Sequence, residues 1–428
     1  MICRVLQSSE SSSEVNDVEE TKKPAIRFNG FTDEWDQRKL SALCDKFIDG
    51  DWIESKDQSD SGVRLVQTGN IGIAEYLDKP NNKKWISDIT FEQLHCEEVL
   101  PGDILISRLP EPAGRACIMP FLGTKMITAV DCTIVRTASN VSNKFLVQYL
   151  SSQYYFDAVN TCLAGGTRQR ISRSNLADFD IPIPSEKVEQ DAIGSFFNGV
   201  DNLITLNQCK YDKLLTFKKS MLEKMFPQNG AKVPEVRFAG FDGEWVEYRF
   251  GDIVAKYSDP VATPTNGYTR LGIRSHGKGT FHSAVLPGME LETAQMHRVA
   301  ANNFIVNITF GWEHAVAVTD ENDEGKLVSH RFPQYSFNEG AIPKFFKYLI
   351  LDEKFRQHLE LASPGGAGRN RVLKLDDMLE YQFMLPSVPE QESIADYLIK
   401  LDDLIQLKQS ELEKLKNIKS ALLEKMFV

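Results

Sequence analysis

An imperfect tandem duplication constrains the fold of this chain more than any other feature of its sequence. At an offset of 210 residues, residues 26–35 match residues 236–245, and both copies contain the pattern RFxGFxxEW. At an offset of 201 residues, 189–226 aligns without gaps on 390–427, with 16 of 38 positions identical. Each repeat is therefore a variable block of about 150 residues followed by a better matched block of about 40.

The matched blocks are predicted to be long amphipathic helices, because their apolar residues recur at spacings of three, four or seven. In the first copy the apolar seam consists of Ile193, Phe197, Val200, Ile204, Tyr211, Leu214, Phe217, Met221 and Met225. In the second copy it consists of Ile394, Leu398, Leu401, Ile405, Leu412, Leu415, Ile418, Leu422 and Met426. Each seam contains one polar position, Asn207 or Lys408, which we expect to fix the register of pairing. Two unrelated surface helices remain an alternative.

A helix of 38 residues would be roughly 57 Å long at 1.5 Å per residue. Two such helices packed antiparallel would hold the variable blocks apart as a spacer. The variable blocks alternate short apolar runs with turns and end in helical stretches, which favours an α+β domain with a small, twisted, mostly antiparallel sheet. The predicted organisation is a disordered tail at 1–23, variable domains at 24–184 and 228–386, and long helices at 185–227 and 387–428.

Glycine-rich loops in both variable blocks are the first candidate contact sites. The first loop carries Arg168, Gln169 and Arg170, with Arg173 just beyond it, and the second carries Arg369, Asn370 and Arg371. Glycines allow close backbone approach, while guanidinium groups bind phosphate. The alternative is a glycine-rich turn that caps a helix and leaves its arginines in solvent.

A second candidate cluster combines side chains that can hydrogen-bond to base edges in the major groove of DNA. Its members are Arg64, Gln67, Thr68 and Asn70 in the first block and Arg270, Arg274 and His276 in the second. An ordinary strand end at the surface is an equal alternative. Arg108, Arg115, Trp312 and His314 are weaker loop candidates.

The charge of the chain limits how it could contact nucleic acid. With 49 Lys and Arg against 60 Asp and Glu, the net charge is −11, and each variable block has about −4. Coating nucleic acid through bulk charge is therefore excluded, and any contact must be concentrated in loops. No apolar run is long enough to cross a membrane, and no secretory signal is recognisable, so a cytoplasmic location is expected. The seven scattered cysteines are expected to be free, mostly buried thiols.

Motifs for catalysis are not found. The segment GIRSHGKG at 272–279 resembles a phosphate-binding loop, but Gly279 stands where a Ser or Thr must bind Mg²⁺. No cluster suited to a methyltransferase, a nuclease or a metal site is recognisable. We therefore predict no catalytic residue, no metal site and no cofactor bound by this chain.

Two diverged domains alternating with two matched long helices resemble the specificity subunit of type I restriction-modification systems. The resemblance covers residues 24–428 and is carried by the RFxGFxxEW motifs, the Glu-Gln pairs at 189–190 and 390–391, and the LEKMF helix ends. It implies that each variable domain is a target recognition domain that binds one half of a bipartite site in double-stranded DNA. It also implies two modification subunits docked on this chain and two restriction subunits. S-adenosylmethionine, ATP and Mg²⁺ would be bound by those partners.

Two other functions remain open from the sequence. One is a tandem coiled-coil scaffold for protein interactions that never touches DNA. The other is an enzyme with an unrecognised active site.

Overall fold

The computed structural model of the chain describes residues 6–8, 23–165, 169–228, 230–291, 295–365 and 371–427. The chain forms two compact units, one made of Met1–Cys209 with Ser410–Val428 and the other of Lys210–Gln409. Each unit thus contains one variable domain, the first half of the long helix that follows it, and the second half of the other long helix. The boundaries between the units fall within both long helices, whereas the predicted segments kept each helix whole.

The first unit is built from short strands and short helices. Its strands are β1 (Leu6–Ser8), β2 (Ile26–Phe28), β3 (Asp36–Lys39), β4 (Cys44–Asp49), β5 (Gln58–Ser59), β6 (Val63–Val66), β7 (Lys84–Ile86), β8 (Ile104–Ser107), β9 (Ala116–Ile118), β10 (Met126–Thr128), β11 (Cys132–Thr137) and β12 (Asp180–Ile183). Its helices are α1 (Asp88–Gln93), α2 (Asn143–Tyr149), α3 (Gln153–Thr161), α4 (Arg173–Ala177) and the first half of α5 (Lys187–Lys224). The strand β1 lies within the predicted disordered tail and pairs with β2. Residues 1–5 and 9–22 lie outside the described residues.

Two four-stranded sheets form the first variable domain, in the orders β4-β11-β8-β9 and β10-β6-β7-β5. Their strand pairs are antiparallel except for β10 with β6. The strand β8 is buried on both faces: Ile104 and Ile106 pack against the helices, while Leu105 packs toward the other sheet. This explains its continuous apolar sequence, because successive side chains of a strand point to opposite faces.

The second unit has the same plan. Its strands are β13 (Val246–Arg249), β14 (Val254–Tyr257), β15 (Pro260–Ala262), β16 (Tyr268–Ile273), β17 (Thr280–Val285), β18 (Gln295–Arg298), β19 (Asn303–Val306), β20 (Val316–Val318), β21 (Leu327–Val328), β22 (Gln334–Phe337) and β23 (Gln382–Leu385). Its helices are α6 (Phe250–Ile253), α7 (Pro343–Leu349), α8 (Glu353–Leu361), α9 (Leu375–Leu379) and the first half of α10 (Val388–Met426). The sequence predicted the α+β class and the long antiparallel helices correctly.

The sheets of the two units correspond in part. The sheet β14-β22-β19-β20 repeats the order of β4-β11-β8-β9, and the two-stranded pairs β13-β23 and β12-β3 also correspond. The other sheet differs, since the second unit has five strands in the order β15-β18-β21-β16-β17. Each domain therefore has two main sheets where the sequence predicted one, and the divergence is concentrated in the second of them.

The matched sequence motifs are packing motifs. In the first unit Arg27 forms two hydrogen bonds of 2.6 and 2.8 Å to the buried carboxylate of Glu189, which joins the RFxGFxxEW motif to the start of α5. In the second unit Arg237 binds Glu390 in the same way, with two bonds of 2.7 Å. The adjacent Gln190 accepts from the Ser142 amide and donates to the Pro184 carbonyl, both at 2.8 Å.

The halves of the two long helices run antiparallel within each unit. Asp201 of α5 forms a 2.6 Å ion pair with Lys419 of α10 in the first unit, and Lys218 pairs with Asp402 at the equivalent place in the second. These two ion pairs occupy equivalent positions of the two repeats. The register role of Asn207 and Lys408 stays a prediction: the Asn207 amide donates to the Leu203 carbonyl of its own helix at 2.8 Å, and Lys408 is half-buried.

The seam residues differ in burial. Those that are buried are Ile193, Phe197, Met225, Ile394, Leu398, Leu401, Ile405, Leu412 and Met426, whereas Val200 and Ile204 are half-buried. Phe217 and Ile418 were placed on the seam by their spacing, but they are 45% and 52% exposed. Helical spacing alone therefore does not decide which seam positions are covered, since Met225 and Met426, farther along the same helices, are buried.

Candidate nucleic-acid interface

A cluster of arginines lies at one end of the main sheet of the first unit. Arg108 follows β8, Arg170 lies three residues before α4, and Arg173 is the first residue of α4. Asp49 lies 3.4 Å from Arg108 Nε and 4.0 Å from Arg173 Nη1, and Asp131 lies 3.7 Å from Arg170 Nη1. Three guanidinium groups thus share two carboxylates, so the cluster has an excess of positive charge. The side chains of Arg170 and Arg173 are 61% and 50% exposed, which leaves both accessible to an anion.

The backbone brings these residues together. The Arg108 amide donates to the Asp131 carbonyl at 2.9 Å, and the Ile171 amide donates to the Arg108 carbonyl at 3.1 Å. The Ser172 hydroxyl accepts from the Asn175 amide at 3.0 Å and so caps α4, which places Arg173 in its first turn.

The second unit repeats this backbone arrangement with different side chains. The Ile308 amide donates to the Arg331 carbonyl at 3.0 Å, and the Leu373 amide donates to the Ile308 carbonyl at 2.9 Å. Ile308 therefore takes the place of Arg108, and Arg331 takes the place of Asp131. The same scaffold thus presents different chemistry in the two units.

A cleft of about 620 Å³ opens beside Arg331 in the second unit. Its polar lining includes Arg270, Asn307 and His330, and the exposed rings of Phe281 and Phe310 contribute apolar surface. The carboxylate of Glu313 in the lining accepts a 2.5 Å hydrogen bond from the Ser275 hydroxyl. The cleft combines cationic, amide and aromatic groups, the side chains that bind phosphates and bases.

The structure places the glycine-rich loop residues in different settings. Arg168, Arg369 and Asn370 lie outside the described residues. Gln169 and Arg170 are exposed. Arg371 donates to the carbonyls of Ser363 and Glu360 at 3.0 and 3.1 Å, and its guanidinium lies 5.3 Å from the centre of the Trp312 ring. Arg371 therefore caps the C-terminal end of α8 through its side chain.

Two members of the second candidate cluster are buried, which corrects their predicted role in base contacts. Arg64 is 2% exposed, donates to the Lys84 carbonyl at 2.8 Å and lies 5.5 Å from the centre of the Trp85 ring. Asn70 is 4% exposed and donates to the Leu77 carbonyl at 2.9 Å. The alternating pattern of a strand does not reveal this, since β6 is buried on both faces.

The other members of this cluster lie nearer the surface. Gln67 and Thr68 are half-buried at the end of β6, and Arg270 is half-buried in the cleft. Arg274 and His276 are exposed in the turn between β16 and β17.

The weaker loop candidates also have structural roles. Arg115 donates to the carbonyls of Ile71, Leu109, Pro112 and Thr68 over 2.6–2.9 Å, and burial lowers its pKa. His314 is 4% exposed and binds the Ile350 carbonyl.

Sequence reasoning missed Asp49, Asp131, Asn307, His330 and Arg331. Asp131 and Arg331 occupy equivalent places before β11 and β22, but the flanking sequences share no motif that would align them. Only the shared backbone hydrogen bonds show the correspondence.

A search of the described residues finds no group of three or more His, Cys, Asp or Glu that could hold a metal ion. Among them, no helix is long and apolar enough to span a membrane. The six described cysteines are free thiols, and Cys3 lies outside the described part of the chain.

Comparisons with known proteins agree with the architecture. The MjaVIII type I restriction enzyme specificity subunit of Methanocaldococcus jannaschii is 22% identical over 363 residues, which cover 82% of this chain and 83% of that protein. The type I restriction-modification S subunit of M. genitalium superposes with a TM-score of 0.59 at 14% identity, over 95% of this chain and 99% of that one. A chain from a solved type I R-M system superposes with a TM-score of 0.53 at 13% identity, over 92% and 97%.

The family model described as the type I restriction modification DNA specificity domain matches residues 32–216 and again 291–417. These two matches together cover well over half of the chain, and each falls within one of its two repeats. The chain therefore belongs to the family of type I restriction-modification specificity subunits.

Proposed function

We propose that this chain recognises a bipartite site in double-stranded DNA, with each unit contacting one half of the site. One observation carries the proposal: the same backbone scaffold presents Arg108 and Asp131 in the first unit but Ile308 and Arg331 in the second. A common scaffold with different side chains is what two domains need in order to bind different base sequences, because bases are distinguished by the side chains that reach their edges.

The charge distribution supports contact through a few arginines. With a net charge of −11, the chain has no bulk attraction for phosphate. The exposed guanidinium groups of Arg170 and Arg173 are free to contact the DNA backbone and set the orientation of the first unit. Positive surface on partner subunits would supply the remaining attraction.

We also propose that two modification subunits dock on the long helices. Leu203 and Leu206 of α5 are about half exposed, and their equivalents Leu404 and Leu407 of α10 are 40% and 54% exposed. Exposed apolar residues at equivalent positions of the two repeats provide two similar surfaces, which suits two copies of one partner. The helices would then set the spacing between the half-sites.

Catalysis is assigned to the partners. The modification subunits would bind S-adenosylmethionine and transfer its methyl group, and two restriction subunits would use ATP and Mg²⁺. This chain would supply recognition without a catalytic residue or a cofactor of its own.

A selection experiment tests the proposal. The chain is purified with its modification subunit, incubated with random-sequence duplexes, and the bound duplexes are sequenced. We expect enrichment of two short motifs separated by a fixed gap. Binding without any enriched motif would contradict the proposal. Exchange of residues 234–385 for the equivalent block of another specificity subunit should change one motif and leave the other and the gap intact.

The arginine cluster is tested by the double substitution of Arg170→Ala and Arg173→Ala. Binding should weaken on all duplexes, and the slope of log K against log salt should become shallower by about 1–2, because each lost phosphate contact removes about one released counterion. Lys56→Ala is the matched control, since Lys56 is exposed and its ion pair is with Glu54, outside the cluster. An unchanged slope in the double variant would show that these two arginines make no phosphate contact.

A further inference from the structure

We propose that the β16–β17 hairpin of the second unit enters the major groove of DNA and that Arg274 recognises a guanine there. The inference rests on the proposed function, because it assigns one base contact within the half-site of the second unit. It concerns residues 268–285, which form two paired strands and the turn between them.

The hairpin has the shape that a major groove accepts. Six residues of β16 pair antiparallel with six of β17, from Tyr268 opposite Val285 to Ile273 opposite Thr280. The strand β17 is the edge of its five-stranded sheet, so one side of the hairpin is unpaired. The major groove is about 12 Å wide and admits a two-stranded β-ribbon.

The charge of this segment is opposite to that of the chain. Residues 260–289 contain no Asp or Glu, whereas they include Arg270, Arg274 and Lys278. The turn at 274–279 exposes Arg274, His276 and Lys278 together. An acid-free hairpin with a cationic tip, in a chain of net charge −11, is complementary to the DNA backbone.

The guanidinium of Arg274 is held in place before any ligand binds. It lies over the Phe281 ring, 5.1 Å from the ring centre, and its Nη1 donates to the Thr280 carbonyl. The ring in turn lies against Gly272, its cross-strand partner, where an added Cβ would come within 2.3 Å of the ring. Gly272 therefore makes room for the ring that supports Arg274.

The turn is also anchored to the rest of the unit. The amides of His276 and Gly277 donate to the carbonyls of Glu313 and His314 at 2.8 and 2.9 Å. The Ser275 hydroxyl donates to the Glu313 carboxylate at 2.5 Å. A side chain that is held on an anchored turn loses less conformational entropy on binding, which favours a specific contact over a loose phosphate contact.

Guanine is the base that fits a fixed guanidinium. Its O6 and N7 are two acceptors on one edge, and the planar fork of arginine donates to both at once. Adenine presents a donor and an acceptor at the same edge, so it cannot accept both bonds.

The test measures base preference in the purified complex with its modification subunit. The variants are Arg274→Lys, which keeps the charge but loses the fork, and Phe281→Leu, which removes the supporting ring. The enriched motif of the second half-site should lose its preference for guanine at one position by about tenfold in Arg274→Lys. The slope of log K against log salt should stay unchanged in Arg274→Lys, because lysine keeps the positive charge.

Arg356→Lys is the matched control, since Arg356 is held by Glu353 and Glu360 on α8 of the same unit. It should leave both motifs unchanged. If the wild-type complex selects a bipartite motif and both hairpin variants select the same motif, the inference is overturned and the proposed function stands. If the wild-type complex selects no motif, the proposed function itself fails.

Discussion

The ring of Phe427 lies edge-on against the indole of Trp35, with ring centroids 6.2 Å apart. Phe427 belongs to the LEKMF end of the second repeat, whereas Trp35 belongs to the RFxGFxxEW motif of the first. The equivalent pair in the second unit is Phe226 with Trp245, at 6.1 Å. Each domain core is therefore completed by the end of the helix from the other repeat, and this explains why these two motifs match while the domains have diverged.

Phe427→Ala should destabilise the first unit by about 3–5 kcal/mol, the usual cost of removing a buried phenylalanine. Phe427 is 2% exposed and also packs against Phe145 and Phe197, so its loss leaves a cavity with little room to collapse. Hydrogen exchange of the amides of β3 and β12 measures the effect locally. Phe226→Ala is the matched control and should accelerate exchange in β13 and β23 instead. Equal effects of both variants on both units would contradict this assignment.

Removing the guanidinium of Arg27 should destabilise the first unit by about 3–5 kcal/mol, because the carboxylate of Glu189 would remain buried without its partner. The Glu189 side chain is 2% exposed and that of Arg27 is 12% exposed. The double variant Arg27→Met with Glu189→Leu should recover much of the loss, since it removes both charges. A double-mutant cycle by urea unfolding measures the coupling. A coupling free energy near zero would show that the pair is no more than a surface contact.

The sequence was sufficient to predict the α+β class and the long antiparallel helices, because the duplication and the helical periodicity can be recognised in the amino-acid sequence. The positions of the matched motifs could also be recognised, but their packing role could not. Nothing in RFxGFxxEW shows that its arginine binds Glu189, a contact 162 residues away.

The burial of the candidate contact residues was harder to predict, because residue type does not report burial. Arg64 lies within β6 and Arg274 follows β16, yet Arg64 is buried beside Trp85 and Arg274 lies at an exposed turn. The difference depends on the tertiary packing around each residue, which the local sequence does not show. Arg331 was missed for a different reason, since its equivalence to Asp131 exists only in the backbone hydrogen bonds.

Arg64→Met should lower the stability of the first unit without changing DNA preference. The substitution removes donors from the carbonyls of Leu65 and Lys84, and a buried unsatisfied acceptor costs about 1–3 kcal/mol. The unfolding midpoint and the selected DNA motif are measured on the same protein. Arg173→Ala is the opposite control, because Arg173 is half exposed and should affect binding but not stability. A changed motif in folded Arg64→Met would restore Arg64 as a contact residue.

Acid should destabilise the second unit through His314. Burial lowers the pKa of this imidazole below its usual 6.5; its hydrogen bond to the Ile350 carbonyl opposes the shift, and nearby Arg356 and His276 add to it. Nε2 donates to that carbonyl at 2.7 Å, a bond that both the neutral and the protonated ring can make, so it is burial that favours the neutral form. Because the folded pKa is the lower one, the unfolded chain binds more protons between the two values. This contribution is complete above pH 6.5 and declines as the pH falls through and below that value.

His314→Gln should therefore flatten the pH dependence of unfolding. The free energy of unfolding is measured in urea between pH 7.5 and pH 5, and the variant is compared with wild type at each pH. The wild type should lose more stability than His314→Gln over this range, because glutamine takes up no proton. His330→Gln is the matched control, since His330 is exposed and should leave the wild-type curve unchanged. Parallel curves for wild type and His314→Gln would show that His314 takes up its proton equally well in the folded and unfolded chains.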